Sequence, residues 1–228
     1  MPVNTITLFS IVLTVAAYGL ARLLAVRFSS PLTTPVFLST VMIILVLAGS
    51  GITYQDYTPA KEIMTYLLGP ATVALAVPLY HNRDVLLKKA APAFWGLTAG
   101  TLATVVSAVW MTKMFHLTEA TAASAAVKSV TTPVAIEVAR MIGGDPALAA
   151  IFVMIAGMFG AMFGPWLLTV MKVTDPFARG LSIGTTAHGI GTAQIVQEGS
   201  LQGAVSGAAM GAASIFTSLV LPWLFPLL

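Results

Sequence analysis

The chain has 228 residues, of which 57% are hydrophobic and only 8% charged. An ordinary soluble domain carries about a quarter charged residues, so this composition argues against a soluble enzyme. The net charge of +3 is too small and too scattered for a nucleic-acid-binding surface, and without cysteine the chain has no disulfide and no thiolate metal site.

Uncharged stretches along the chain have the length of helices that cross a bilayer. A hydrocarbon core about 30 Å thick takes about 20 apolar residues as a helix. We predict spans at residues 5–26, 32–52, 90–112, 146–171 and 199–228. The first of these lacks the basic start of a cleaved signal peptide, so it is predicted to be a retained helix.

Basic residues predict how the chain is oriented in the membrane. They follow the first and third crossings and, by the positive-inside rule, put the N-terminus outside the cytoplasm: Arg22, Arg27, Arg83, Lys88 and Lys89. These residues do not fix the orientation of the second half of the chain. A single crossing at 119–142 would place Lys172 and Arg179 outside, against the rule, whereas a re-entrant turn there would reverse every later span.

Three further segments are helical by composition but interrupted. Pro70 and Pro78 fall in one crossing, and each removes a backbone donor, so a broken helix is predicted there. The other two segments run from 119 to 145 and from 177 to 198. The fold expected is an all-α polytopic membrane protein with about seven or eight transmembrane segments, two or three of them broken or re-entrant, in one transporter-like domain over residues 1–228.

The first break, around Thr132, has the features of an anion site. Thr132 is a good N-cap and Pro133 a good first helical residue, so a half-helix starting there leaves free amide donors at its positive end. Ser129 and Thr131 add hydroxyls and Lys128 an ammonium, which suit a carboxylate better than a cation or a sugar. The alternative is a kinked helix whose threonines bond to its own carbonyls and whose lysine reaches the headgroups.

Two charged residues follow this break. Glu137 and Arg140 are three residues apart, hence on one helix face, and are predicted to form an ion pair. Glu137 is also a candidate for proton coupling, although an internal or membrane-edge pair explains it at least as well.

The second break centres on His188. Gly184, Gly189 and Gly191 let the backbone unwind and approach a bound molecule, and three hydroxyls lie beside them: Thr185, Thr186 and Thr192. His188 is a candidate for proton coupling or for a hydrogen bond to a carboxylate, with a neutral bond between helices as the alternative. No spacing of histidines or carboxylates indicates a metal site.

The two breaks share a design that could reflect an internal repeat. Residues 131–140 and 185–194 match at four of ten aligned positions, and each contains a threonine pair. Paired interruptions of this kind are the best sequence indication of a transporter binding site. We expect a repeat relating the breaks near 128–140 and 182–194, either inverted or parallel.

Three motifs, KSVTTPVA at 128–135, GLSIGTTAHGIGTA at 180–193 and GPATVALAVPLY at 69–80, resemble the LrgB/CidB family of bacterial inner-membrane proteins. The order and lengths of the spans match as well, so the resemblance covers essentially the whole chain. It implies a multi-pass protein of the bacterial inner (plasma) membrane that works with a small membrane partner of the LrgA/CidA type, with homo-oligomers left open.

The resemblance implies two kinds of function. Members were named as modulators of murein hydrolase export and autolysis, by analogy with holins and antiholins. Other relatives, including the plastid glycolate/glycerate translocator, carry small monocarboxylates, and bacterial pairs are linked to pyruvate uptake. We predict a secondary transporter, or transporter subunit, for pyruvate, glycolate or glycerate, with the holin/antiholin-like modulator as the alternative and a purely structural subunit as a third. No enzyme, cofactor or nucleic-acid partner is predicted.

Overall fold

The computed structural model describes residues 5–28, 30–67, 70, 73–74 and 76–228. Every regular element among them is a helix, which confirms the all-α prediction. The chain divides into two compact units, residues 1–76 and 77–228. The expectation of a single membrane domain stays a prediction.

Up to Leu67, the described helices of the first unit are α1 (Thr5–Arg27), α2 (Pro35–Ser50) and α3 (Tyr54–Tyr66). A short 3-10 turn at Pro31–Thr33 separates the first two. The buried face of α1 is built from small residues, and the Thr14 hydroxyl lies 2.8 Å from the phenol oxygen of Tyr57 in α3. Small side chains on this face let the helices approach closely.

The predicted break at Pro70 falls where much of the chain lies outside the described residues. Residues 68–69, 71–72 and 75 are not among them. Helix α3 ends at Tyr66, and α4, which contains Pro78, is described over Ala76–His81. A broken helix around Pro70 therefore stays a prediction.

The remaining helices are α5 (Arg83–Lys88), α6 (Ala90–Met114), α7 (Glu119–Ala126), α8 (Thr132–Met141), α9 (Pro146–Val170), α10 (Pro176–Ile195) and α11 (Ser200–Leu224). Within the described residues, α1, α6, α9 and α11 with its extension to Leu227 are long and apolar enough to span a membrane, as predicted. The span predicted at 32–52 is a shorter apolar helix of 16 residues, α2.

Helices α7 and α8 are the arms of a hairpin, here named hairpin 1 (residues 119–145). The Ser124 hydroxyl accepts a hydrogen bond from the backbone N–H of Asp145 at 2.8 Å, and a Cβ added to Gly144 would lie 3.0 Å from the Ser124 backbone nitrogen. Twenty residues of continuous helix would separate these positions by about 30 Å. The chain therefore doubles back, and 119–142 is not a single crossing.

Helix α10 also folds back on itself, at His188, to form hairpin 2 (residues 176–198). A Cβ added to Gly191 would lie 2.9 Å from the Ile183 side chain, although eight residues of straight helix would separate the two by about 12 Å. At the open end, Arg179 donates to Glu198 from both Nε and Nη2, at 2.7 and 2.6 Å. Both interrupted segments of this unit are thus re-entrant in form.

The two hairpins open at opposite ends of the unit. Lys89, just before α6, forms a 3.1 Å salt bridge with Asp175, where hairpin 2 opens. Hairpin 1 opens at the other end, because it follows the end of α6. The N–H of Ala178 and the Lys89 ammonium hold the pKa of the Asp175 carboxyl below its usual value. This end also carries Lys172 and Arg179, so the positive-inside rule predicts that it faces the cytoplasm.

Candidate functional site

The tip of hairpin 1 is a break in the helix, as predicted from Thr131–Thr132–Pro133. Helix α7 ends at Ala126 and α8 begins at Thr132. The N-cap is Thr131, with extended backbone angles, and not Thr132 as predicted. The start shifts by one residue because proline fits the second position of the first turn as well as the first.

Lys128 reaches from this tip to the middle of α6. Its ammonium donates a 2.7 Å hydrogen bond to the carbonyl oxygen of Thr104. The ammonium has three donors, and this bond is its only one among the described residues. Two donors therefore stay available at the tip.

Polar groups at the same tip have no protein acceptor or donor of their own within the described part of the chain. They are the hydroxyls of Ser129, Thr131 and Thr132 and the backbone N–H groups of Thr132 and Val134. Ser129 is 6% exposed, whereas Pro133 is exposed. The first turn of α8 thus keeps the free amide donors expected at a helix start.

The tip of hairpin 2 is His188 itself. Its φ of 38° and ψ of −139° are not helical, and the ring is buried, at 4% exposure. The imidazole Nε2 lies 2.9 Å from the carbonyl oxygen of Val153 in α9. A Cβ on Gly157 would come within 2.6 Å of this ring, so glycine there makes room for the imidazole.

The threonines beside His188 bond within their own helix. Thr185 and Thr186 donate to the carbonyls of Leu181 and Ser182 at 2.7 Å, and the helix continues through both. In hairpin 2 the break therefore comes after the threonine pair. In hairpin 1 the pair lies at the break itself, with Thr131 as the N-cap residue of α8. Thr192 donates to the His188 carbonyl and accepts from the Ser206 hydroxyl, both at 2.8 Å.

Most glycines near this tip and in the helices around it serve close packing. At Gly96, Gly160, Gly164 and Gly203, an added Cβ would lie 2.2–2.8 Å from the side chains of Leu181, Ala187, Ile183 and Val196, respectively. At Gly100 it would lie 3.1 Å from Thr185, a tight contact. Gly184 lies directly against the Ser206 backbone and Gly191 against Ala187. Gly189 has space, since the nearest atom to its added Cβ is the Met210 sulfur at 3.6 Å.

Both hairpins contact the same stretch of α6. Thr185 packs on Gly100, at 3.1 Å from an added Cβ, and Lys128 bonds the carbonyl one turn further on, at Thr104. Lys128 and His188 themselves contact different helices, α6 and α9. The stretch from Gly100 to Thr104 is therefore what the two hairpins share.

Glu137 and Arg140 lie away from the tips. Arg140 Nη1 is 2.9 Å from Glu137 Oε1, which gives the predicted ion pair, and both side chains are more than half exposed. Four residues of the site could not be found from sequence. Thr104 and Val153 act through backbone carbonyls, Gly157 through its missing side chain, and Ser206 through a contact across the fold. Among the described residues no group of three His, Cys, Asp or Glu side chains could hold a metal ion.

Comparisons with known proteins cover nearly the whole chain. The LrgB-like family matches residues 14–227. The chain is 33% identical to the uncharacterized protein YwbG of Bacillus subtilis, over 96% of this chain and 97% of the relative. It is 32% identical to the antiholin-like protein LrgB of the same organism, over 94% and 93%.

A further relative is the holin-like protein CidB of Staphylococcus epidermidis, 28% identical over 93% of each chain. No solved structure matches the chain. The apolar helices and the family together indicate a multi-pass protein of the bacterial membrane. The chain belongs to the LrgB-like family.

Proposed function

We propose that this protein is a secondary transporter, or a transporter subunit, for small monocarboxylates such as pyruvate, glycolate or glycerate. The observation that supports this most is the pair of hairpins, which open at opposite ends and bring their tips to the middle of α6 and α9. Interrupted helices that meet near the centre of the membrane are typical of transporter binding sites.

The charge at the tips favours an anion. Lys128 is bonded to a neutral carbonyl, and the acidic side chains of the described part of unit 77–228 lie elsewhere. Glu137 pairs with Arg140 and Glu198 with Arg179, toward the open ends. An ammonium at membrane depth without a counter-charge costs free energy, and a bound carboxylate would supply that charge.

The other predicted binding residues lie on two sides of this carboxylate. Ser129, Thr131, Thr132 and Pro133 belong to the helix start that faces it together with Lys128. The opposite side is the tip of hairpin 2, at His188 and Gly189. The other residues predicted there pack or bond within the protein and act by shaping this tip: Gly184, Thr185, Thr186, Gly191 and Thr192. Of the two candidates for proton coupling, His188 is the one at a tip, whereas Glu137 is exposed.

We further propose that the two halves form an inverted repeat. Each consists of a long apolar helix followed by a hairpin, α6 with hairpin 1 and α9 with hairpin 2. The first arm of hairpin 2 runs parallel to α6, since Leu181 and Thr185 meet Gly96 and Gly100, and antiparallel to α9, since Ile183 and Ala187 meet Gly164 and Gly160. Long helices of opposite direction correspond to an inverted repeat.

Uptake into liposomes tests the transport proposal. Purified protein, with and without a small partner of the LrgA/CidA type, should take up labelled pyruvate or glycolate saturably. Lys128→Met should reduce uptake at least tenfold, because it removes the charge and keeps the length of the side chain. Lys88→Met, at an exposed lysine of α5, is the control and should retain uptake. Equal uptake by both variants would contradict the proposed role of Lys128.

A holin- or antiholin-like modulator of murein hydrolase export and autolysis is the second candidate. It is favoured by the names of two relatives that align over more than nine-tenths of the chain. A pore of this kind would release an entrapped neutral dye as well as carboxylate, whereas a carrier would retain the dye. Expression in cells should then change autolysis even when Lys128 is replaced.

A further inference from the structure

Two buried hydroxyls near the hairpin tips have no hydrogen-bond partner within the described part of the chain. They belong to Thr101 in α6 and Thr217 in α11, and each residue is 3% exposed. Several other hydroxyls of these helices bond to a carbonyl of their own helix, as those of Thr104, Thr112 and Ser214 do. The hydroxyl of Thr98, one turn before Thr101 in α6, also lacks a partner, but Thr98 is only half-buried. Thr101 and Thr217 do not, so their hydroxyls have not been satisfied locally.

Both threonines lie in the layer between two apolar clusters that α6 and α11 share. Leu97 packs with Ala209 and Ala213 in one cluster, and Val105 and Leu221 belong to the other. Thr101 is four residues from Leu97 and from Val105, and Thr217 is four residues from Ala213 and from Leu221. One polar layer thus interrupts an otherwise apolar contact.

This layer is next to the candidate site. Thr101 directly follows Gly100, on which Thr185 packs, and is three residues before Thr104, whose carbonyl binds Lys128. Residues three apart lie on neighbouring turns of the same side of a helix. An unsatisfied buried hydroxyl destabilises the fold, so a partner that arrives with the substrate would explain why two are kept here.

We propose that Thr101 and Thr217 recognise the oxygen on the carbon next to the carboxylate of the substrate. This inference rests on the proposed transport of monocarboxylates. Lys128 provides charge for the carboxylate, whereas a neutral hydroxyl both donates and accepts, which suits an alcohol or a carbonyl oxygen. The site therefore selects 2-hydroxy and 2-oxo monocarboxylates over acids without that oxygen.

The ratio of two affinities tests this assignment. Glycolate carries the second oxygen and acetate does not, and binding of each to purified protein can be followed by its effect on thermal unfolding. The wild type should bind glycolate about five- to tenfold more tightly than acetate, as one or two hydrogen bonds predict. Thr101→Val and Thr217→Val should each lower this preference to about twofold or less, with Thr101→Ser restoring it.

Thr112→Val is the matched control, because Thr112 is also buried in α6 but bonds to the Val109 carbonyl. It should keep the glycolate preference. If both Thr101→Val and Thr217→Val kept the wild-type preference for glycolate, the assignment would be overturned. A buried water would then be the partner of the two hydroxyls. A wild type that binds neither acid would refute the transport proposal, and with it this inference; a wild type that binds both acids equally refutes the inference alone.

Discussion

Arg179 and Glu198 join the two arms of hairpin 2 through a pair of parallel hydrogen bonds of 2.7 and 2.6 Å. Arg179 also donates to the carbonyls of Val173 and Pro165, at 2.9 and 3.0 Å, which ties the hairpin to the end of α9. Such a two-point contact fixes direction as well as distance. The Arg179–Glu198 contact thus holds the two arms together at the open end of the hairpin, and this fixes the position of the tip at His188.

Removal of the charge on Glu198 should destabilise the protein. Glu198→Gln leaves a guanidinium whose side chain is only 10% exposed without its counter-charge, which costs about 3 kcal/mol. Arg140→Gln, at an exposed pair, should cost less than about 1 kcal/mol. Thermal unfolding in detergent measures both, and equal losses would show that the Arg179 pair is not structural.

Gly157→Ala should displace the His188 ring. The new Cβ would lie 2.6 Å from the imidazole, so the ring must move and lose its bond to Val153, at a cost of about 1–3 kcal/mol. Gly211→Ala in α11 is the control, because no atom lies within 4 Å of its added Cβ. That variant should be up to about 1 kcal/mol more stable than wild type. If both variants unfold at the wild-type temperature, the ring does not occupy this space.

The backbone at His188 predicts an order of stability between two variants that both lack the imidazole. Its positive φ favours glycine over any residue with a Cβ. His188→Gly should therefore be about 1 kcal/mol more stable than His188→Ala. The reverse order, measured in the same unfolding assay, would place the break elsewhere.

The breaks could be predicted from sequence, but not the direction that the chain takes after them. Proline and threonine at 131–133 and the glycines around His188 indicate where a helix stops. The return of hairpin 2 depends on the contact of Gly184 with the Ser206 backbone, and that of hairpin 1 on Ser124 and Asp145. These are contacts across the fold, and no local pattern specifies them.

The same limit applies to the candidate site. Lys128 and His188 stand out in an apolar sequence because ionisable groups in such segments are rare. Their partners are the backbone carbonyls of Thr104 and Val153, and every residue has a carbonyl. Only the packing of the helices selects which of them is used.

Cysteine pairing tests the fold-back of hairpin 1. The chain has no cysteine of its own, and the Cβ position of Gly144 lies 3.1 Å from the Ser124 hydroxyl oxygen. Ser124→Cys with Gly144→Cys should therefore form a disulfide on mild oxidation. Each single variant serves as the control. Persistent free thiols in the folded double variant would indicate a straight crossing.

Counterflow in liposomes tests the central claim most directly. Vesicles that contain the protein are loaded with unlabelled glycolate and a neutral dye. They should transiently accumulate external labelled glycolate and retain the dye, because a carrier exchanges one anion for another without opening a continuous pore. Loss of the dye together with an absence of accumulation would contradict a carrier and favour a pore.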